Sequence, residues 1–236
     1  MNLTWVDLPA LFPGLPNPGR WLPLLELHGG LLEAASSRVR VTSVPPAEAV
    51  RRQYAESLEL LRIIEKRSPG PTGLADIGSG GGFPGLVMAV VCADTQVHLV
   101  EPLRKRAALL SELAEALGLV NVVVHPLRAE EAGRGALRDS LPVVTARAVA
   151  ELRELLEYTA PLTAPGGVIA LPKGSAFASE LAAASNSLAM LGCEFEASIP
   201  MRAEISETLS VGLFGKVAFT APGYPRRPGA PGKRPL

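Results

Sequence analysis

The sequence predicts an α/β fold in which a doubly wound parallel sheet carries helices on both faces and is preceded by a small helical cap. Short runs rich in β-branched residues alternate with helical patterns from residue 73 onward. The stretch Leu74–Leu86 has the pattern of a strand, a glycine-rich loop and a helix. Apolar residues make up 47% of the chain, which is enough to form a packed core around such a sheet.

The first 72 residues are expected to form the cap, because no ladder of strands is visible in them. Trp21–Ala35 has apolar residues at helical spacing, although two adjacent glycines weaken the pattern. Pro45–Arg67 is the stronger helix, with a proline near its start and the stop sequence SPGPTG after it. This segment is therefore predicted to form a helical cap in front of the sheet domain.

Residues 73–221 are expected to form the sheet domain. Its predicted strands are Gly73–Ile77, Gln96–Val100, Asn121–Pro126, Leu141–Ala146, Val168–Leu171, Cys193–Ile199 and Leu209–Thr220. Its predicted helices are Pro84–Val91, Leu103–Leu117, Ala129–Gly135, Val149–Leu162 and Ser175–Leu191. The last two strands follow each other without a full helix between them, so they are expected to form an antiparallel edge pair. Ligands of such sheets bind at the carboxyl ends of the strands, where the functional residues should lie.

The glycine loop after the first strand suits either of two cofactor classes. The dinucleotide pattern G-x-G-x-x-G fits from Gly80 through Gly82 to Gly85. In a second frame, Asp76 at the strand end precedes Gly78, Gly80 and Gly82, and this frame resembles motif I of class I S-adenosylmethionine (SAM) methyltransferases. An anion beside the loop attracts the ammonium and sulfonium groups of SAM and repels the pyrophosphate of NAD. The loop therefore favours SAM.

The ends of the later strands carry further candidate residues. Glu101 ends the second strand about 20 residues after the loop, where an acid can hold ribose hydroxyls. Arg128-Ala129-Glu130 follows the third strand, and a backbone N–H with a short polar side chain there could contact adenine edges. Arg147 follows the fourth strand and Lys173 the fifth. Arg147 would lie near the reactive end of the cofactor. Alternatively, Arg147 could cap the following helix or form a surface ion pair.

Five motifs follow one another along the chain: DIGSGGGFPGL, VEPLRKRAALLSEL, LRAEE, TARAVAEL and PKGS, with YPRRPGAPGKRPL at the C-terminus. In this order and spacing they resemble the bacterial 16S rRNA guanine-N7 methyltransferase family (RsmG, also called GidB), over residues 38–236. The resemblance implies a class I SAM-methyltransferase fold. It also implies methyl transfer from SAM to N7 of a guanine in 16S rRNA of the small ribosomal subunit.

The resemblance also implies site residues. Those that bind SAM would be Gly78, Gly80, Gly82, Phe83, Glu101, Ala129, Glu130 and Arg147. Among them, Glu101 would hold the ribose. Ala129 and Glu130 would contact the adenine. Arg147 would reach both the cofactor and the target base, and Arg128 would support this catalytic site. Guanine N7 has a lone pair and no proton, so the reaction needs positioning more than a general base. Arg147 could donate to O6 of the base if a neighbouring acid balanced its charge.

The cap departs from the family pattern at positions that bear on RNA recognition. The family's R-H-x-x-D-S is Arg52-Gln53-Tyr54-Ala55-Glu56-Ser57 here, so that Gln53 replaces histidine and Glu56 replaces aspartate. The family's N-L-T is Arg40-Val41-Thr42. These changes leave the SAM site largely untouched. They bear on RNA recognition, so the identity of the methyl acceptor is not decided by the resemblance. The alternatives are a SAM-dependent enzyme for a small molecule, a non-catalytic SAM- and RNA-binding paralogue, and an NAD-dependent oxidoreductase.

Charge and composition limit the partners. The chain has 23 basic and 23 acidic residues, so any RNA-binding surface must be local. Residues 222–236 form a proline-rich tail whose charged residues are all basic: Arg226, Arg227, Lys233 and Arg234. This tail could contact phosphates or be a disordered, solubilising segment.

The cysteines, the histidines and the N-terminus bear on disulfides, metal sites and cellular location. Two cysteines far apart in sequence predict no disulfide framework, and three scattered histidines predict no metal site. The N-terminus has no basic region of a signal peptide, and no apolar run is long enough for a membrane span. We therefore expect a soluble, cytoplasmic protein without a membrane partner. We also expect a monomer, although this composition does not determine the oligomeric state.

Overall fold

The computed structural model describes residues 3–39, 41–147 and 150–236. Its sheet has seven strands in the order β3-β2-β1-β4-β5-β7-β6. The strands are β1 (Gly73–Ile77), β2 (Gln96–Val100), β3 (Val122–His125), β4 (Leu141–Ala146), β5 (Thr163–Lys173), β6 (Cys193–Pro200) and β7 (Ser210–Lys216). Strands β1 to β5 are parallel, and β7 runs antiparallel to both β5 and β6. The predicted doubly wound sheet is confirmed, with its antiparallel pair at the β6 edge.

Helices precede the sheet and cover both of its faces. They are α1 (Leu8–Leu11), α2 (Pro18–Ala35), α3 (Pro46–Ala49), α4 (Glu56–Arg67), α5 (Gly85–Val91), α6 (Arg104–Ala116), α7 (Ala129–Ala132), α8 (Leu152–Thr159), α9 (Phe177–Ala183), α10 (Ser185–Leu191) and α11 (Ala230–Lys233). A 3₁₀ turn spans Trp5–Asp7 and a π-helical segment, Val50–Ala55, joins α3 to α4. The predicted cap helix over residues 45–67 is present as three consecutive segments, which are α3, the π-helical segment and α4.

Several predicted boundaries differ from the structure. The single helix expected over Ser175–Leu191 is wrong, since it is divided into α9 and α10 just before a Ser-Asn-Ser run, whose side chains compete with helical hydrogen bonds. Helix α8 ends at Thr159, because Pro161 cannot continue it. Its expected start at Val149 lies outside the described residues, as do Ala148 and, in the cap, Arg40. Strand β7 ends at Lys216, four residues earlier than expected.

Successive side chains of each strand pack into opposite layers. Leu74 belongs to one hydrophobic core, together with Leu25 of α2 and Leu61 of α4. Ala75, the next residue, packs into the other core, which contains Leu155 of α8. The cap thus shares a core with one face of the sheet and helps to cover it. The boundary at residue 72 remains a prediction.

The C-terminal tail packs against the α8 layer instead of being disordered. The Arg226 guanidinium forms hydrogen bonds with both carboxylate oxygens of Glu157, whose side chain is completely buried. The Gly229 N–H donates to Glu130 at 2.8 Å, and the Ser187 hydroxyl donates to the carbonyl of Leu236 at 3.0 Å. Arg226 is therefore committed to Glu157, while the other three tail cations are exposed. Among the described residues, no helix has the length and apolar character needed to cross a membrane.

Candidate functional site

A cleft of about 1010 Å³ opens at the carboxyl ends of β1, β4 and β5. We call it the main cleft. It is lined by the glycine loop (residues 78–83) at every position except Gly82, by cap residues between 41 and 56, and by Arg147, Lys173 and residues 206, 208 and 209. The volume is slightly above the roughly 300–1,000 Å³ usual for small-molecule sites. The cleft lies at the sheet edge where parallel α/β folds bind their ligands.

Backbone conformation explains the glycines of the loop. Gly78, Gly80 and Gly82 have φ angles of +73°, +55° and +92°, in the region that side chains disfavour. A Cβ at Gly82 would also collide with the Leu86 side chain. Gly78, Gly80 and Phe83 line the main cleft, whereas Gly82 only shapes the turn beneath it.

Asp76 lies beneath the loop and does not line the cleft. Its Oδ2 accepts the N–H of Gly85 at 2.9 Å, and a Cβ at Gly85 would come within 2.8 Å of the same oxygen. Its Oδ1 is buried and has no hydrogen-bond partner. Burial raises the pKa of Asp76 from 3.8 to about 6. Asp76 therefore holds the start of α5 from beneath the loop, so that it would act on a ligand in the cleft through its charge.

The raised pKa of Asp76 has a measurable effect on stability. Because the folded protein binds the proton more tightly than the unfolded chain, the contribution of Asp76 to stability is largest below pH 3.8 and is lost as the pH rises through 6. Asp76→Asn keeps an acceptor for Gly85 and removes the titration. We expect the variant to gain about 2 kcal/mol in unfolding free energy relative to the unmodified protein between about pH 4 and pH 7. Chemical denaturation at several pH values measures this difference, and parallel pH profiles would contradict it.

Glu101 connects the end of β2 to the glycine loop. Its side chain is buried, with Oε2 accepting the N–H of Gly80 at 3.0 Å and Oε1 accepting the N–H of Leu103 at 3.0 Å. Each carboxylate oxygen can accept a second hydrogen bond. Glu101 is thus fixed against the loop, and it is not among the residues that line the main cleft. Its contact with a ligand ribose remains a prediction.

Arg147 lines the main cleft and contacts the cap directly. Its guanidinium donates to the carbonyl of Arg52 at 2.9 Å and to Glu56 at 3.4 Å, and lies 5.4 Å from the centre of the Phe83 ring. Burial lowers the pKa of Arg147, and the carboxylates of Glu56 and Asp76 oppose this shift. Glu56 therefore supplies the charge balance that the sequence-based interpretation of Arg147 required.

A second ion pair lines the cleft at the end of β5. Lys173 Nζ lies 2.5 Å from Glu180 Oε2, which also accepts the N–H of Leu152 at 2.7 Å and so holds the start of α8. Sequence reasoning noted Lys173 but missed Glu180, and it did not pair Glu56 with Arg147. The usable signal was charge, because a cation buried beside a cleft requires a nearby anion.

The third strand end lies apart from the main cleft. Arg128 is exposed at the start of α7, where its backbone N–H donates to Glu131 at 2.8 Å. Ala129 and Glu130 are buried, and Glu130 accepts the tail N–H of Gly229. None of the three predicted residues is among those that line the cleft. Their contacts with an adenine, and the catalytic role of Arg128, remain predictions.

Known proteins resemble this chain in sequence and in fold. Residues 25–207 match the family model GidB, described as rRNA small subunit methyltransferase G. Relatives named ribosomal RNA small subunit methyltransferase G occur in Roseiflexus castenholzii (40% identical over 94% of this chain and 95% of the relative) and Desulfitobacterium hafniense (36% identical over 92% and 90%).

Two solved structures share the fold at low sequence identity. One is a SAM-dependent methyltransferase from Aquifex aeolicus (12% identical, TM-score 0.56, covering 80% of this chain and 98% of that one). The other is a mutant of the protein MtNAS in complex with S-adenosylmethionine (18% identical, TM-score 0.56, covering 92% and 85%). The resemblance seen in the sequence motifs is confirmed, and the chain belongs to the rRNA small subunit methyltransferase G family.

Proposed function

We propose that this protein transfers a methyl group from SAM to N7 of a guanine in 16S rRNA of the small ribosomal subunit. The observation that carries the proposal is the main cleft, which brings the glycine loop and a charge-balanced Arg147 into one space. The names of the relatives supply the class of acceptor. The N7 position comes from the family resemblance and the chemistry of the site.

The residues of the site suit SAM better than a dinucleotide. A pyrophosphate needs free N–H groups at the start of α5, but these groups already have partners. The Gly85 N–H donates to Asp76, the Phe83 N–H to the carbonyl of Ser79 and the Leu86 N–H to the carbonyl of Gly82. The buried, unpartnered Asp76 Oδ1 would repel a phosphate and attract a cationic ligand. Gly78, Gly80, Phe83 and Glu101 would hold SAM.

When bound, SAM supplies a methyl group on a positively charged sulfur. Guanine N7 can accept this group without losing a proton, so the protein's task is to hold the base. Arg147 would donate to a carbonyl oxygen of the base, and its pairing with Glu56 would limit the repulsion as the base becomes positive. Glu56 thus supplies a carboxylate beside Arg147 at the position where the family usually has aspartate.

The cap wall of the cleft suits an RNA acceptor. Arg51 and Arg52 line it, and both pair with the partly exposed Glu48. A base in folded RNA must leave its stack to enter the cleft, at a cost of a few kcal/mol. We further propose that the protein works in the cytoplasm as a monomer of 24.7 kDa, without a membrane partner.

Methyl transfer to purified ribosomal RNA tests the proposal. The protein is incubated with radiolabelled SAM and with 16S or 23S rRNA from a strain lacking this modification, as naked RNA and as assembled subunits. We expect label in 16S rRNA only, at one nucleotide that mass mapping identifies as 7-methylguanosine. Label on another base would refute the N7 assignment. SAM binding without label in either 16S sample would favour another acceptor or a non-catalytic paralogue.

A further inference from the structure

His28, in α2 of the cap, is a fully buried histidine with a partner on each ring nitrogen. Nε2 lies 3.0 Å from the carbonyl oxygen of Gly81 in the glycine loop, and Nδ1 lies 3.0 Å from the hydroxyl of Tyr54. A carbonyl can only accept, so we assign the proton to Nε2 and let Nδ1 accept from Tyr54. Burial lowers the pKa of His28 to about 4, so the ring is neutral at physiological pH.

This contact holds the glycine loop from the side opposite to the sheet. On the sheet side, the N–H of Gly80 donates to Glu101 at 3.0 Å. On the cap side, His28 binds the carbonyl of Gly81, the next residue. The two hydrogen bonds fix consecutive residues of the loop from two different parts of the chain. Without His28, the Gly81 carbonyl would lack this buried donor and the loop would be held from one side.

The partner of His28 connects the loop to the catalytic side of the cleft. Tyr54 lies in the π-helical segment just before Glu56, the partner of Arg147. Its ring contacts the Phe83 ring edge-on at 5.0 Å, and the Arg147 guanidinium lies over the same Phe83 ring, 5.4 Å from its centre. His28 itself packs 5.2 Å from Phe83. One packed cluster therefore joins the cap, the loop and Arg147.

We propose that His28 is a positioning residue of the SAM site, which fixes the Gly81 carbonyl and thereby the shape of the glycine loop. The inference rests on the proposed function for the identity of the ligand. We call the two hydrogen bonds that hold the loop, between Gly80 and Glu101 and between His28 and Gly81, the clamp, and both are present in the free protein. The clamp makes SAM binding depend on the cap, which the loop sequence alone does not reveal.

Two amide substitutions separate the two hydrogen bonds of His28. His28→Gln places an amide nitrogen near the position of Nε2, so it can keep the hydrogen bond to the Gly81 carbonyl. His28→Asn places an amide oxygen near the position of Nδ1, so it can keep only the hydrogen bond from the Tyr54 hydroxyl. We expect the Asn variant to raise the Kd of SAM about tenfold, and the Gln variant to raise it less than about threefold. Hydrogen exchange of residues 78–86 in the free protein should accelerate in the Asn variant and stay near the original rate in the Gln variant.

The control removes a buried hydrogen bond far from the loop. Thr163→Val deletes the hydroxyl that donates to the carbonyl of Thr159 at 3.0 Å, near the start of β5. It should leave both the SAM Kd and the exchange of the loop unchanged. Equal values for the Asn and Gln variants, in Kd and in exchange, would overturn the inference. If the unmodified protein fails to bind SAM, the proposed function fails, while the exchange comparison still decides the clamp.

Discussion

Replacing Arg147 with alanine is expected to slow methyl transfer to 16S rRNA at least about 100-fold, the usual effect of removing a positioned donor from an active site. Arg147 lines the main cleft, and its guanidinium is held by Glu56, the Arg52 carbonyl and the face of Phe83. The protein should still fold, because Arg147 lies at the end of β4 and not in either hydrophobic core. Single-turnover rates with saturating SAM and RNA measure the effect on the transfer step.

An arginine elsewhere on the surface provides the control. Arg38 pairs with Glu112 in a bridge whose two side chains are 63% and 57% exposed, so Arg38→Ala should change neither rate nor stability measurably. Glu56→Gln should keep a hydrogen-bond acceptor and lose the charge balance, giving a smaller loss than Arg147→Ala. An unchanged single-turnover rate in the Arg147 variant would remove this residue from the site.

Replacing Arg226 with alanine is expected to lower the free energy of unfolding by about 3 kcal/mol. The substitution leaves the completely buried Glu157 without the guanidinium that contacts both of its oxygens. A buried carboxylate without a partner is strongly destabilising. The tail should also detach, because Arg226 is its main charged contact with α8. Urea denaturation measures the stability, and limited proteolysis reports the release of the tail.

The neighbouring arginine is the matched control for the tail. Arg227 is exposed, so Arg227→Ala should change the unfolding free energy by less than about 0.5 kcal/mol. The double variant Glu157→Leu/Arg226→Met removes both charges and should recover most of the loss. A loss below about 1 kcal/mol for Arg226→Ala would mean that this ion pair does not hold the tail.

The strand ends and the glycine loop could be predicted because local sequence determines them. Positive φ angles favour glycine at residues 78, 80 and 82. The acid that follows β2, Glu101, stands directly at the strand end in the sequence. The parallel order of β1 to β5 followed from alternating strand and helix patterns. Local patterns also gave the position of Arg147, since it directly follows β4.

The contacts that complete the site could not be predicted, because they join distant parts of the chain. His28 binds Gly81 across 53 residues, and Arg226 binds Glu157 across 69. The insertion of β7 between β5 and β6 likewise depends on tertiary pairing. A buried histidine in a cap helix and a basic tail each have an ordinary sequence interpretation. Only the fold shows that one holds the cofactor loop and that the other is docked.

Titration calorimetry with SAM, set against NAD, tests the central claim most directly. The main cleft has a buried carboxylate beneath its loop and no free N–H groups at Phe83, Gly85 or Leu86 for a pyrophosphate. We therefore predict that SAM binds with one molecule per chain and that NAD produces no heat of binding. Binding of NAD without binding of SAM would contradict the account.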